Sequence, residues 1–101
     1  MTLFEQKLFL LDLYPEIEKV LISKGNDYAN ADRLSNFKLA GSICGLKPEL
    51  NCLSLIATKV ARLGVLLNSD KVNNESIEDS VLDLINYAIL LKMLLNKNVS
   101  L

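Results

Sequence analysis

The sequence predicts an all-α fold of four or five helices, and three observations carry that prediction. Apolar residues recur at spacings of three and four, as in Leu53, Ile56, Val60, Leu63 and Leu67, which is the period of a helix with one face against a core. No stretch shows the sustained apolar and polar alternation of a half-buried strand. Proline, glycine and asparagine fall between the periodic segments, where helices begin and end. A chain of 101 residues supports one domain with one core, so we expect a single helical domain over 1–101, its core in 3–95 and its last residues, 96–101, frayed.

Each element has its own justification. Thr2 followed by Glu5 resembles a capping box, and Phe4, Leu8 and Leu11 form an apolar face running toward Tyr14. Pro15 kinks this helix or begins a second one over 16–23, and Lys24-Gly25-Asn26-Asp27 has the residues of a helix-ending turn. The polar stretch 27–35 then reads as an ordered functional loop. Ser35 can cap a short helix that Gly41 or Gly45 ends, and Pro48 suits the first position of a long amphipathic helix reaching about Leu67. After the Asn-rich loop 68–74, a last helix runs from about Glu75 to Leu95.

Composition excludes several classes of function. Eleven basic and twelve acidic residues give a net charge of −1, which argues against a duplex nucleic-acid surface driven by counterion release. Cys44 and Cys52 stand in a chain without histidine, so Cys/His zinc sites and Cys-His or Ser-His nucleophile pairs are ruled out, and both thiols read as small core residues. We expect no run of about 18 apolar residues of the kind that spans a bilayer, no signal peptide, no membrane partner and a cytoplasmic protein. Half of the residues are hydrophobic, which predicts a homo-oligomer closed through the last two long helices.

Three groups of residues could carry chemistry. On the last helix Glu75, Asp79, Asp83 and Asn86 recur at spacings of four, four and three, which stacks them on one face, while Ile77, Val81, Leu84, Ile85, Ala88, Leu91 and Leu95 form a separate apolar stripe. Leu82, Ile89 and Met93 add a second stripe, and a helix apolar on two sides is enclosed by neighbours or by a partner chain, which forces the acidic stripe into a cleft, where carboxylates need a cation or donor beside them; a solvated face with structural ion pairs is the alternative. Lys59 and Arg62, one turn apart on the preceding helix, can pair with Asp79 and Asp83 or hold a phosphate. The third group is Lys24, Asp27, Tyr28, Arg33, Asn36 and Phe37. It combines aromatic platforms, hydrogen-bonding groups and cations suited to a nucleotide, although Tyr28 and Phe37 could equally cover the core.

Taken in order, Lys24-Gly25-Asn26-Asp27-Tyr28-Ala29, Leu34-Ser35-Asn36-Phe37, Lys59-Val60-Ala61-Arg62-Leu63 and Glu75-Ser76-Ile77-Glu78-Asp79 with Asp83-Leu84-Ile85-Asn86-Tyr87 resemble the small phage family called nucleotide modification associated domain, over roughly 16–95. The last helix in turn resembles that of the MazG-like all-α nucleotide pyrophosphohydrolases, in which a Glu/Asp-bearing helix followed by an aliphatic run helps hold magnesium. The resemblance implies a MazG-like helical bundle that assembles as an oligomer and handles nucleotides. One departure matters: those enzymes carry Glu-x-x-Glu on the preceding helix, where this chain has Lys59-x-x-Arg62. Two cations oppose a magnesium cluster and suit a phosphate directly.

The leading expectation is therefore a phage-encoded protein without a cofactor. It would bind a nucleotide or nucleotide-derived signal of host defence, cyclic or of ADP-ribose type, and sequester it without hydrolysis through Lys24, Asp27, Tyr28, Arg33, Asn36, Phe37, Lys59, Arg62, Asp79, Asp83, Asn86 and Tyr87, with Tyr87 beside the amide. The rival is a magnesium-dependent nucleoside triphosphate pyrophosphohydrolase with Glu75, Glu78, Asp79 and Asp83 as ligands. A third reading is an accessory subunit whose oligomer interface is its function.

Overall fold

A computed structural model describes residues 1–28, 34–69 and 74–96, with side chains given for all of these except 24–28 and 74–75. The described residues form four α-helices, α1 (Leu3–Tyr28), α2 (Ser35–Cys44), α3 (Pro48–Leu67) and α4 (Asn74–Leu95), and no strand. The all-α expectation holds at that level.

Helix α1 is a single 26-residue element. The Glu5 amide donates to Thr2 Oγ1 at 3.1 Å, which satisfies one of the donors a helix start leaves open. Pro15 lies inside it and does not end it. The ring removes the hydrogen bond to the Leu11 carbonyl at a cost of about 3 kcal/mol, so the flanking turns must be held by other contacts. The turn predicted at 24–27 is likewise corrected, because α1 passes through Gly25 and Asn26 to Tyr28. A glycine costs about 1 kcal/mol in a helix interior, too little to stop a helix without a left-handed turn behind it.

Ser35 is the first residue of α2 and not its cap; Leu34 holds the cap position, and the Lys38 amide donates to its carbonyl at 3.3 Å. The C-terminus is a Schellman turn. Gly45 takes φ 71°, the Leu46 amide donates to Gly41 O at 2.7 Å and the Gly45 amide to Ser42 O at 3.4 Å. Close approach there also explains Gly41, since an added Cβ would lie 2.5 Å from the Leu46 carbonyl oxygen.

Pro48 opens α3 as predicted, after an extended Lys47 whose carbonyl accepts from the amides of Leu50 and Asn51. Ser54 and Thr58 donate back to the carbonyls of Asn51 and Ser54, and Asn68 Nδ2 donates to Gly64 O, so polar side chains are absorbed by the helix itself. By length and composition α3 is also apolar enough to cross a membrane, although Glu49, Asn51, Lys59 and Arg62 interrupt its apolar residues.

Helix α3 packs along α4, α2 packs on α3, and α1 touches α4 more lightly. The core is small. Among the described residues only Phe37 and Cys52 are buried apolar side chains, and Ser80 and Asn86 are buried polar ones. The radius of gyration is 15.6 Å, against about 13 Å for a compact chain of this length. Large apolar side chains stay exposed on α1, α2 and α3, among them Phe4, Leu11, Ile43, Val60 and Val65.

Candidate functional site

The relation of α3 to α4 follows from two contacts. Cys52 Sγ donates to the Tyr87 carbonyl at 3.4 Å, and Lys59 Nζ lies 2.9 Å from Asp83 Oδ2. Moving seven residues forward along α3 moves four residues back along α4, so the two helices are antiparallel. This register brings the cation pair of α3 against the acidic stripe of α4.

Along that stripe burial is graded. Asp79 is exposed, Asp83 keeps 21 % of its side-chain exposure, and one turn further Asn86 keeps 4 %. Ser80, on the same side of α4, is 3 % exposed. The most buried positions of α4 are thus the polar Ser80 and Asn86; of the predicted apolar stripe, Ile77, Leu84, Ile85 and Leu91 are half-buried, and Val81, Ala88 and Leu95 are exposed. Ser80 escaped the sequence reading because a lone serine in a helix carries no periodic signal; its position one residue from Asp79 and three from Asp83 was the only clue.

Asn86 is the anomaly of the site. Neither its Nδ2 nor its Oδ1 has a hydrogen-bond partner, although both atoms are shut off from the surface. Leaving such a group unsatisfied costs about 1–3 kcal/mol, which a leucine in its place would avoid. Lys59 is half-buried and held to Asp83, with 24 % of its side-chain exposure left. Arg62 is exposed, and the register places it at the same level as the exposed Asp79. The pair Lys59 and Arg62 is thereby divided into an engaged cation and one that faces solvent.

The other candidates are placed unevenly. Tyr87 is half-buried, Asn36 is exposed on the first turn of α2, and the Phe37 ring is 9 % exposed and belongs to the core. The side chains of Lys24, Asp27, Tyr28 and Arg33 lie outside the described residues, as does that of Glu75. Among the described residues no three cysteine or acidic side chains converge as a metal-holding group. Glu78 and Asp79 point outward as exposed residues, and the Asp83 carboxylate is held by the Lys59 ammonium. A shallow, open depression lined by Ala88, Leu91, Lys92, Leu95 and Asn96 contains none of the candidate residues.

The two thiols differ. Cys44 is exposed; Cys52 is fully buried, and burial raises its pKa because the thiolate would lose its hydration. Cys52 is accordingly a neutral donor that ties α3 to the Tyr87 backbone rather than a nucleophile.

Compared with known protein families, with characterised proteins and with solved structures, the chain matches none.

Proposed function

We propose that the protein binds a nucleotide or nucleotide-derived small molecule at the polar face between α3 and α4 and holds it without hydrolysis. The observation that carries this reading is the buried, unpartnered amide of Asn86 one turn from the Lys59–Asp83 pair. An amide offers two donors and an acceptor, the pattern that reads the edge of a base, and a nearby cation suits the phosphate of the same molecule; because the amide is shut off from the surface, the ligand reaches it by parting α3 from α4. Tyr87, next to Asn86 in sequence, adds a half-buried aromatic ring on α4, and Arg62 a second cation one turn from Lys59. The resemblance to a phage family supplies the biological setting: a phage product that sequesters a cyclic or ADP-ribose-type defence signal.

Binding is favoured over magnesium-dependent hydrolysis by the Lys59 ammonium 2.9 Å from Asp83 Oδ2, since it puts positive charge on the oxygen a metal would need. Calorimetric titration with a nucleotide panel, with and without EDTA, tests the reading. Affinity that survives chelation, and only moderate weakening by Asp83→Asn, is expected, because an amide oxygen still accepts a hydrogen bond. Affinity that vanishes on chelation, with pyrophosphate released when magnesium is restored, would replace the binder with the pyrophosphohydrolase.

A further inference from the structure

Helix α1 carries an apolar stripe that stays exposed among the described residues. Leu3, Phe4, Leu8, Leu11, Tyr14 and Ile22 are on average about 60 % exposed. At 3.6 residues per turn they fall within about 140° of arc. Of the half-buried residues of the same helix, Leu13, Ile17 and Val20 lie on a different side, while Leu10 and Leu21 border the stripe. The helix is therefore apolar twice, once toward the bundle and once toward solvent.

The exposed stripe has an internal symmetry. Two charged residues, Lys7 and Glu18, lie within it; both are exposed, and among the described residues neither has an ion-pair partner. They are equally distant in sequence from the point between Asp12 and Leu13, and so are Leu11 and Tyr14, and Leu3 and Ile22. A second α1 laid antiparallel about a two-fold axis at that point sets Lys7 against the partner's Glu18, Leu11 against the partner's Tyr14 and Leu3 against the partner's Ile22. Self-complementarity of this kind is what an isologous interface requires.

We propose that α1 is a homodimerisation helix that pairs antiparallel with α1 of a second copy, with two symmetric Lys7–Glu18 contacts. The area agrees with that occupant. The six apolar side chains present on the order of 700 Å², taking roughly 200 Å² for a fully exposed large residue. A standard interface takes about 800 Å² from each partner. The whole chain exposes 7760 Å², against about 5,700 Å² for an ordinary monomer of its mass. A lipid surface is the poorer occupant: the described side chains of α1 include Glu5, Asp12, Glu16 and Glu18 against Lys7 and Lys19, whereas helices that lie on membranes are rich in basic residues.

Sedimentation of the full chain tests this, with circular dichroism confirming that the exposed substitutions leave the helices intact. The wild type is expected to be a dimer at micromolar concentration. Lys7→Glu and Glu18→Lys should each weaken it on the order of tenfold to a hundredfold, since two ion pairs become two repulsions. An equimolar mixture of the two variants should regain wild-type affinity, because each chain then meets the opposite charge at both contacts. A monomeric wild type, a dimer indifferent to either substitution, or a mixture that stays as weak as its components would each overturn the proposal.

Discussion

Replacing Asn86 with leucine separates a functional amide from a structural one. The two side chains branch alike at Cγ, so the change removes hydrogen-bonding groups and little shape. The buried Nδ2 and Oδ1 have no partner, so their removal relieves an unsatisfied desolvation of about 1–3 kcal/mol. The slightly larger leucine at a site 4 % exposed gives back part of this as crowding, which leaves a net stabilisation of about 1 kcal/mol. In thermal unfolding that gain amounts to roughly 4–8 °C for a domain of this size. Urea unfolding at fixed protein concentration measures the same quantity, and nucleotide titration of the same variant should show affinity lost. An Asn86→Leu protein destabilised by 1 kcal/mol or more would mean that the amide is satisfied within the fold, and the reasoning that makes it a ligand group would fail.

Further expectations concern the elements around the site. Lys59→Met and Asp83→Leu should each destabilise by about 1–2 kcal/mol, between a surface pair and a fully buried one, and the double variant should recover most of the loss in a mutant cycle by urea unfolding. Gly41→Ala should cost about 1–3 kcal/mol, since its Cβ would press on the Leu46 carbonyl, and Gly45→Ala about 1–2 kcal/mol, since φ is 71° there. Cys52 has a folded pKa above its ordinary 9.0, so its contribution is fully present below pH 9 and is lost as pH rises from there through the raised value. Thermal melts from pH 8 to 10.5 should show a decline that Cys52→Ala reduces; an unchanged decline would assign it to other groups.

How much of this was legible in the sequence depends on whether the signal was local. Pro48 at the start of α3 and Gly45 after α2 act through their own backbone, and both were readable. Gly25 was misread as the end of a helix, and Pro15 left open between a kink and a new start, because their costs are local while the persistence of α1 is decided by what surrounds it. The spacing of Asp79, Asp83 and Asn86 placed them on one face of α4. It could not say that Asp79 is exposed while Asn86 is buried, because that gradient comes from the antiparallel register with α3 fixed by Lys59 and Cys52. The apolar residues of α4 and α1 carried the opposite error: periodicity marks a face as apolar without saying whether this chain or another covers it.

The central claim is that the site holds an intact nucleotide-type ligand, and one measurement addresses it most directly. The protein is incubated with a nucleotide panel and magnesium, separated from free ligand, denatured by heat, and the released molecules are identified by mass spectrometry. The account predicts an unmodified ligand in stoichiometric amount, lost in Asn86→Leu. Recovery of a monophosphate with pyrophosphate, or of nothing at all, would contradict it.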